Sequence, residues 1–259
     1  LARDALFAYA VPANAAQLDA ALPAPARAVH YVRLNAALIA GKRSPFWKKP
    51  GEGRVELPLP GGGVLAVVID ESTMLGVDRF TSAGHLEGRP QSRAVFAWNE
   101  GFLHASIDDA ELGSFALRVA TDEFAQFYHV DPTLVGPCGA VRYPVADAAT
   151  LAAAVARRAR AAELATSAAT PPTAAAAATN AQRPEVQVMM VYTQSVLTTL
   201  SGAARTAALQ SAFDAAIAKM NSDLAASAVS ARVKLVRIAE TQYDETAAAS
   251  GSVQDAALT

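Results

Sequence analysis

A chain of 259 residues exceeds the usual size of one domain and points to one large or two medium domains, with two as the expectation. A formal net charge of −2 and a charged fraction of 18% supply no basic surface able to neutralise a phosphate backbone, so nucleic acid is not an expected partner. Hydrophobic residues make up 52%, much of it alanine, and no strongly apolar window long enough to cross a bilayer appears, so no membrane span is expected. The first residue is Leu1, and any signal peptide would lie upstream of it.

In chain order, residues 29–143 break into short β-like runs separated by turn residues. "VHYVRLN" (29–35) alternates apolar and polar side chains, and "GRVELPLPGGGVLAVVIDE" (53–71) sets a Pro-Gly-rich turn between two β-branched stretches, which predicts a hairpin. "SRAVFAWNEGFLHASID" (92–108) repeats the arrangement with its turn at Asn99 to Gly101, and "GSFALRVATDEFAQFYHVD" (113–131) adds two further strands. The expected result is a mainly antiparallel β domain over residues 1–145.

Beyond Tyr143 the composition shifts. Asp147 can cap a helix over "AATLAAAVARRARAAEL", and "ATSAATPPTAAAAATNAQRPE" has almost nothing to bury, so 146–185 is expected to be an Ala-rich helix and a Pro-containing linker. "VQVMMVYT" (186–193) is apolar on both strand faces, as suits a strand covered by helices on both sides. A helix follows from about Ala203 to Ala228, with Leu209, Phe213, Ile217, Met220 and Leu224 at helical spacing, and "ARVKLVRIAE" (231–240) predicts a second strand. Strand, helix, strand is a βαβ unit opening a second domain over 186–259, and "SGSVQDAALT" reads as the start of another helix. The expected class is therefore α+β.

The segments "VQVMMVYTQSVL", "AIAKMNSDLAASAVSARVKLVRIAETQYDET" and "SGSVQDAAL" together resemble the start of the catalytic domain in secreted bacterial zinc metallopeptidases of the reprolysin-like metzincin group. In that group the first strand reads like "V.VMVVYT", an Asn near the helix end precedes an "SGV"-like turn, and the second strand reads like "LRLV.V.E..Y.E". Asn221, Ser227 to Val229 and "KLVRIAETQYDE" take those places here. The resemblance covers roughly residues 186–258, and the preceding β-rich region resembles, more loosely, the propeptide of such precursors. It implies a secreted or periplasmic zinc metalloendopeptidase precursor, latent through contact between propeptide and catalytic domain, with protein or peptide substrates and a truncated catalytic part in this chain.

The zinc sequence of that group, His-Glu-x-x-His-x-x-Gly-x-x-His, is absent, so this segment is expected to hold no catalytic residue and to be inactive alone. All four histidines, His30, His85, His104 and His129, precede the linker. His104 and His129 are expected to pair with backbone groups at strand ends. The single cysteine, Cys138 in "GPCG", cannot form an internal disulfide. By the resemblance it is a candidate zinc latch, a propeptide thiolate filling the open position on the metal; the plainer alternative is a small residue packing a turn.

Other candidates have ordinary explanations beside functional ones. "ARRAR" (156–160) is a processing site or a solvated helix face, Asp108, Asp109, Asp122 and Glu123 fit caps and strand ends, and Phe46 and Trp47 fit an aromatic anchor. Thr193 fits a helix cap. Two alternatives to the precursor remain open: a non-catalytic protease-binding or inhibitory module, and a surface β domain that binds a ligand.

Overall fold

The computed structural model describes residues 5–59, 63–135, 184–194 and 196–241. Cys138, the helix expected from Asp147, nearly all of the linker with "ARRAR", and the terminal "SGSVQDAALT" lie outside the described residues.

Nine strands form one antiparallel sheet: β1 (Phe7–Tyr9), β2 (Ala26–Leu34), β3 (Gly53–Pro58), β4 (Val64–Gly76), β5 (Arg79–Leu86), β6 (Arg89–Asn99), β7 (Phe102–Asp109), β8 (Gly113–Val119) and β9 (Phe124–Val130). Helices α1 (Ala15–Ala20) and α2 (Ala36–Ile39) flank β2. The strand order is β1-β2-β9-β8-β7-β6-β5-β4-β3, and the edge strands β1 and β3 approach each other, so the sheet nearly closes into a barrel. The described residues are thus mainly antiparallel β with few helices.

The alternation visible in the sequence is what rolls the sheet. On β6, Ala94, Phe96 and Trp98 point inward, and on β7 Leu103, Ala105 and Ile107 do the same, joining Val55, Leu57, Val67 and Phe127 in one interior cluster. Phe46, in a single turn of 3-10 helix (Pro45–Trp47), sits 5.2 Å from Phe80 and 5.3 Å from Phe96 by ring centroids, confirming the aromatic anchor.

The expected hairpins are present. Leu57 pairs with Leu65 across the Pro-Gly turn, and Asn99 pairs with Phe102 around a two-residue turn. In that turn Glu100 and Gly101 both have positive φ, 46° and 97°, the geometry whose twist matches flanking strands. Strand β5, "RFTSAGHL", is a finding the sequence reading lacks, because Thr, Ser, Ala and Gly blunt its alternation. Strand β1, at three residues, is too short to show a period.

After the linker come β10 (Glu185–Thr193), α3 (Gly202–Ala226) and β11 (Arg232–Thr241), with β10 and β11 paired in parallel from Glu185↔Arg232 to Thr193↔Thr241. This is the expected βαβ unit, and with the barrel it belongs to one compact unit. One expectation is corrected: β10 is not covered on both faces. Met189, Val191 and Val236 are more than half exposed, because helix packs on one side only of this two-stranded sheet.

Helix α3 ends in a geometry that usually calls for glycine. Val229 N–H donates to the Leu224 carbonyl at 2.9 Å and Ala228 N–H to the Ala225 carbonyl at 3.1 Å, with Ala228 at φ 55°. A Cβ in this left-handed region carries a steric cost of about 1–2 kcal/mol, so Ala228→Gly should stabilise the protein by about 0.5–1 kcal/mol after allowing for the greater unfolded-state entropy of glycine. Urea denaturation measures it; a loss of stability would show that another contact holds this turn.

Candidate functional site

Helix α3 carries two opposed faces of different chemistry. The apolar stripe Leu209, Phe213, Ile217, Met220 and Leu224 lies on the side of the helix where Phe213 meets the Tyr192 ring of β10 at 6.4 Å between centroids, with Leu209 and Ile217 buried and Met220 exposed. Asn221 fixes the same side: its Oδ1 accepts from Val233 N–H at 2.7 Å and its Nδ2 donates to the Val233 carbonyl at 2.9 Å, so one side chain supplies the start of β11 with a strand-like partner. At the helix start, Arg205 donates to the Thr193, Gln194 and Val196 carbonyls and lies over the Tyr192 ring.

The other face packs on the outer surface of β5, β6 and β7. It begins apolar, with Leu200, Ala207 and Ala208 against Phe102 and Val119. Alanines here let the helix backbone approach closely enough for Asn99 Nδ2 to donate to the Ala207 carbonyl at 3.1 Å. Thr199 Oγ1 donates to the Ala120 carbonyl at 2.9 Å.

From there the seam is polar. Arg79 on β5 grips Asp214 with two bonds of 2.8 Å, Nε to Oδ2 and Nη2 to Oδ1, and Gln210 Nε2 adds a third donor at 3.0 Å. Asp214 is only 4% exposed, and its carboxylate holds the Arg79 guanidinium above its ordinary pKa against the opposing effect of burial. Lys219 pairs with Asp108, and Arg93 pairs with Asp223, continuing the charge complementarity toward the C-terminal end of the helix.

His104 and Ser211 sit at the middle of the seam, 2.7 Å apart between Nδ1 and Oγ. Ser211 Oγ also lies 2.9 Å from the Ala208 carbonyl, to which it donates, so the imidazole Nδ1–H donates to Ser211. The pair is not a nucleophile and its base, since Ser211 is fully buried and its proton is engaged within the helix. Dense surroundings disfavour the imidazolium and the Arg118 cation adds to the effect, pulling the His104 pKa down to about 3.

The structure separates the four histidines. His30 packs on the Tyr9 ring, His85 Nδ1 lies 2.8 Å from Asp70, and His129 stands edge-on to Phe115. The expectation that His104 pairs with backbone at a strand end is corrected, as is that for His129: the first bonds a helix side chain and the second rests on a ring. Among the described residues, no group of three or more His, Cys, Asp or Glu is placed to hold a metal ion.

Asp109 caps the β7–β8 turn, accepting from Glu111 and Leu112 N–H, as expected of a strand-end carboxylate. Its neighbour Asp108 instead binds Lys219 across the seam. Glu123 pairs with Arg33 beside a surface cavity of about 330 Å³. Thr193 is not the cap of α3, which begins after Ser201.

Sequence reasoning missed the seam because its helix face consists of small and polar residues, Ala207, Ala208, Ser211, Asp214, Lys219 and Asp223, with no apolar signature. A signal was present: Ala207, Ser211 and Asp214 fall on one line of the helix opposite the apolar stripe, and a carboxylate inside "AFDAAIA" needs a partner. No family model, curated protein sequence or solved structure matches the chain.

Removing the carboxylate leaves Arg79 without its partner. Asp214→Ala should cost about 2–3 kcal/mol, below the range for a fully buried pair because Arg79 keeps some contact with water. Lys234→Ala, which breaks only the exposed pair with Glu185, should cost less than about 0.5 kcal/mol. Denaturation midpoints of the two variants check the contrast, and equal losses would contradict the assigned weight of the seam.

Proposed function

We propose that this chain is the N-terminal part of a secreted or periplasmic zinc metalloendopeptidase precursor. In this proposal the barrel is the prodomain, and the βαβ unit is the beginning of the catalytic domain. The observation that carries it is the composition of the α3 seam. Arg79–Asp214, Arg93–Asp223, Asp108–Lys219 and His104–Ser211 make a contact richer in paired polar groups than in apolar core, the character of surfaces that associate and later part.

The resemblance of residues 186–258 to the start of a reprolysin-like metzincin domain supplies the reaction class. Asn221 has a definite task at the place where that group carries an Asn, holding the first residues of β11 to the helix. In this scheme the barrel grips the helix of the first βαβ unit and keeps the precursor latent until the connecting segment is cut.

The described residues do not fit a zinc site, since the histidines lie on separate strands with separate partners. Peptide hydrolysis by zinc-activated water would rest on ligands outside this segment, and Cys138 retains its proposed part as a latch on that metal.

The test is made on protein expressed from the complete reading frame. The expected result is a His-Glu-x-x-His helix downstream, about one zinc per chain by atomic absorption, and peptidase activity that rises when the barrel is cut away. Cys138→Ser should raise activity before processing. A full-length protein without zinc and without peptidase activity would overturn the proposal, whereas zinc and activity with unchanged latency in Cys138→Ser would remove only the latch.

A further inference from the structure

His104 is placed where a change of charge would act directly on the docking of α3. Its ring donates to Ser211, a fully buried helix residue, and its cross-strand partner on β6 is Ala97, which offers no charge. On β8 the facing group is Arg118, one register step beyond the Ala105–Leu117 pair; its guanidinium is engaged with Gln126 and the Ala21 carbonyl. Burial lowers the Arg118 pKa, and the neighbouring Tyr128 and Tyr31 phenols oppose that shift.

The carboxylates and ammonium of the helix that lie nearest in sequence are already committed. Asp214 is held by Arg79 and Gln210, Asp223 by Arg93, and Lys219 by Asp108. An added proton on the partly buried His104 therefore meets the Arg118 cation and no carboxylate partner in the seam.

We propose that the α3 seam is an acid-sensitive clasp: protonation of His104 at mildly acidic pH undocks α3 from the barrel. The inference concerns the docking of α3 within this chain and stands whether or not the chain belongs to a peptidase precursor. The proton does not create a new contact; it makes the docked state unfavourable, and the open state accepts it with ordinary solvation.

The sign follows from linkage. The docked imidazole has its pKa lowered from 6.5 to about 3, so the docked state binds fewer protons than the open one. Its contribution to docking is complete above pH 6.5 and is lost as pH falls from there toward 3. At pH 5 the open state should be favoured about 30-fold more than at pH 7.5.

Hydrogen exchange of the intact chain, corrected for intrinsic rates and read by mass spectrometry at pH 7.5 and pH 5, tests this. The opening constant of α3 should rise about 30-fold, while β2 and β9 stay protected. His104→Gln, a neutral donor to Ser211, should show no such rise, and Arg118→Gln should show a smaller one. A pH-independent opening of α3 in the unmodified chain would overturn the proposal, as would an equal rise in His104→Gln. An equal gain of exchange in β2 and β9 would also overturn it, since His104 would then govern the whole fold rather than the seam.

Discussion

The bidentate contact between Arg79 and Asp214 is the constraint on which the arrangement of this molecule turns. It places a nearly buried carboxylate of α3 on the outer wall of the barrel, and a buried carboxylate is tolerated only where a cation and further donors surround it. The requirement fixes which side of the helix faces the barrel. It thereby fixes which side remains for β10 and β11.

Two kinds of packing meet in one helix as a result. Toward its own strands, α3 uses long apolar side chains and the Asn221 clamp, interactions that make the βαβ unit a lasting structure. Toward the barrel it uses alanines for close approach and side chains that pair charge with charge. Breaking the first exposes apolar surface, whereas breaking the second mainly returns ions to water, so the two contacts differ in how readily solvent can replace them. The proposed role of the barrel as a removable prodomain rests on that difference.

The barrel was legible in the sequence wherever large apolar residues alternate, as on β6 and β7, and wherever a turn carries its own signature, as at Glu100 and Gly101. Strand β5 was not, since Ser82, Ala83 and Gly84 give no period and only its neighbours on the sheet define it. The βαβ unit was legible from two β-branched runs and a helical stripe. Its open face was not foreseen, because "VQVMMVYT" records that both sides are apolar and says nothing about what covers them. The seam was hardest to see: Asp108, His104 and Arg79 look like ordinary strand residues until the topology brings a helix more than 100 positions away across them.

The central claim is that a charge-paired seam, rather than chain connectivity, holds α3 to the barrel. The most direct measurement introduces a protease site within residues 136–183, cuts the chain there, and follows association of the two fragments by analytical ultracentrifugation. The account predicts that the fragments sediment together, that Arg79→Asp separates them, and that adding Asp214→Arg restores a substantial part of the association. Fragments that part without any substitution, or that remain together equally well in the single charge reversal, would contradict it.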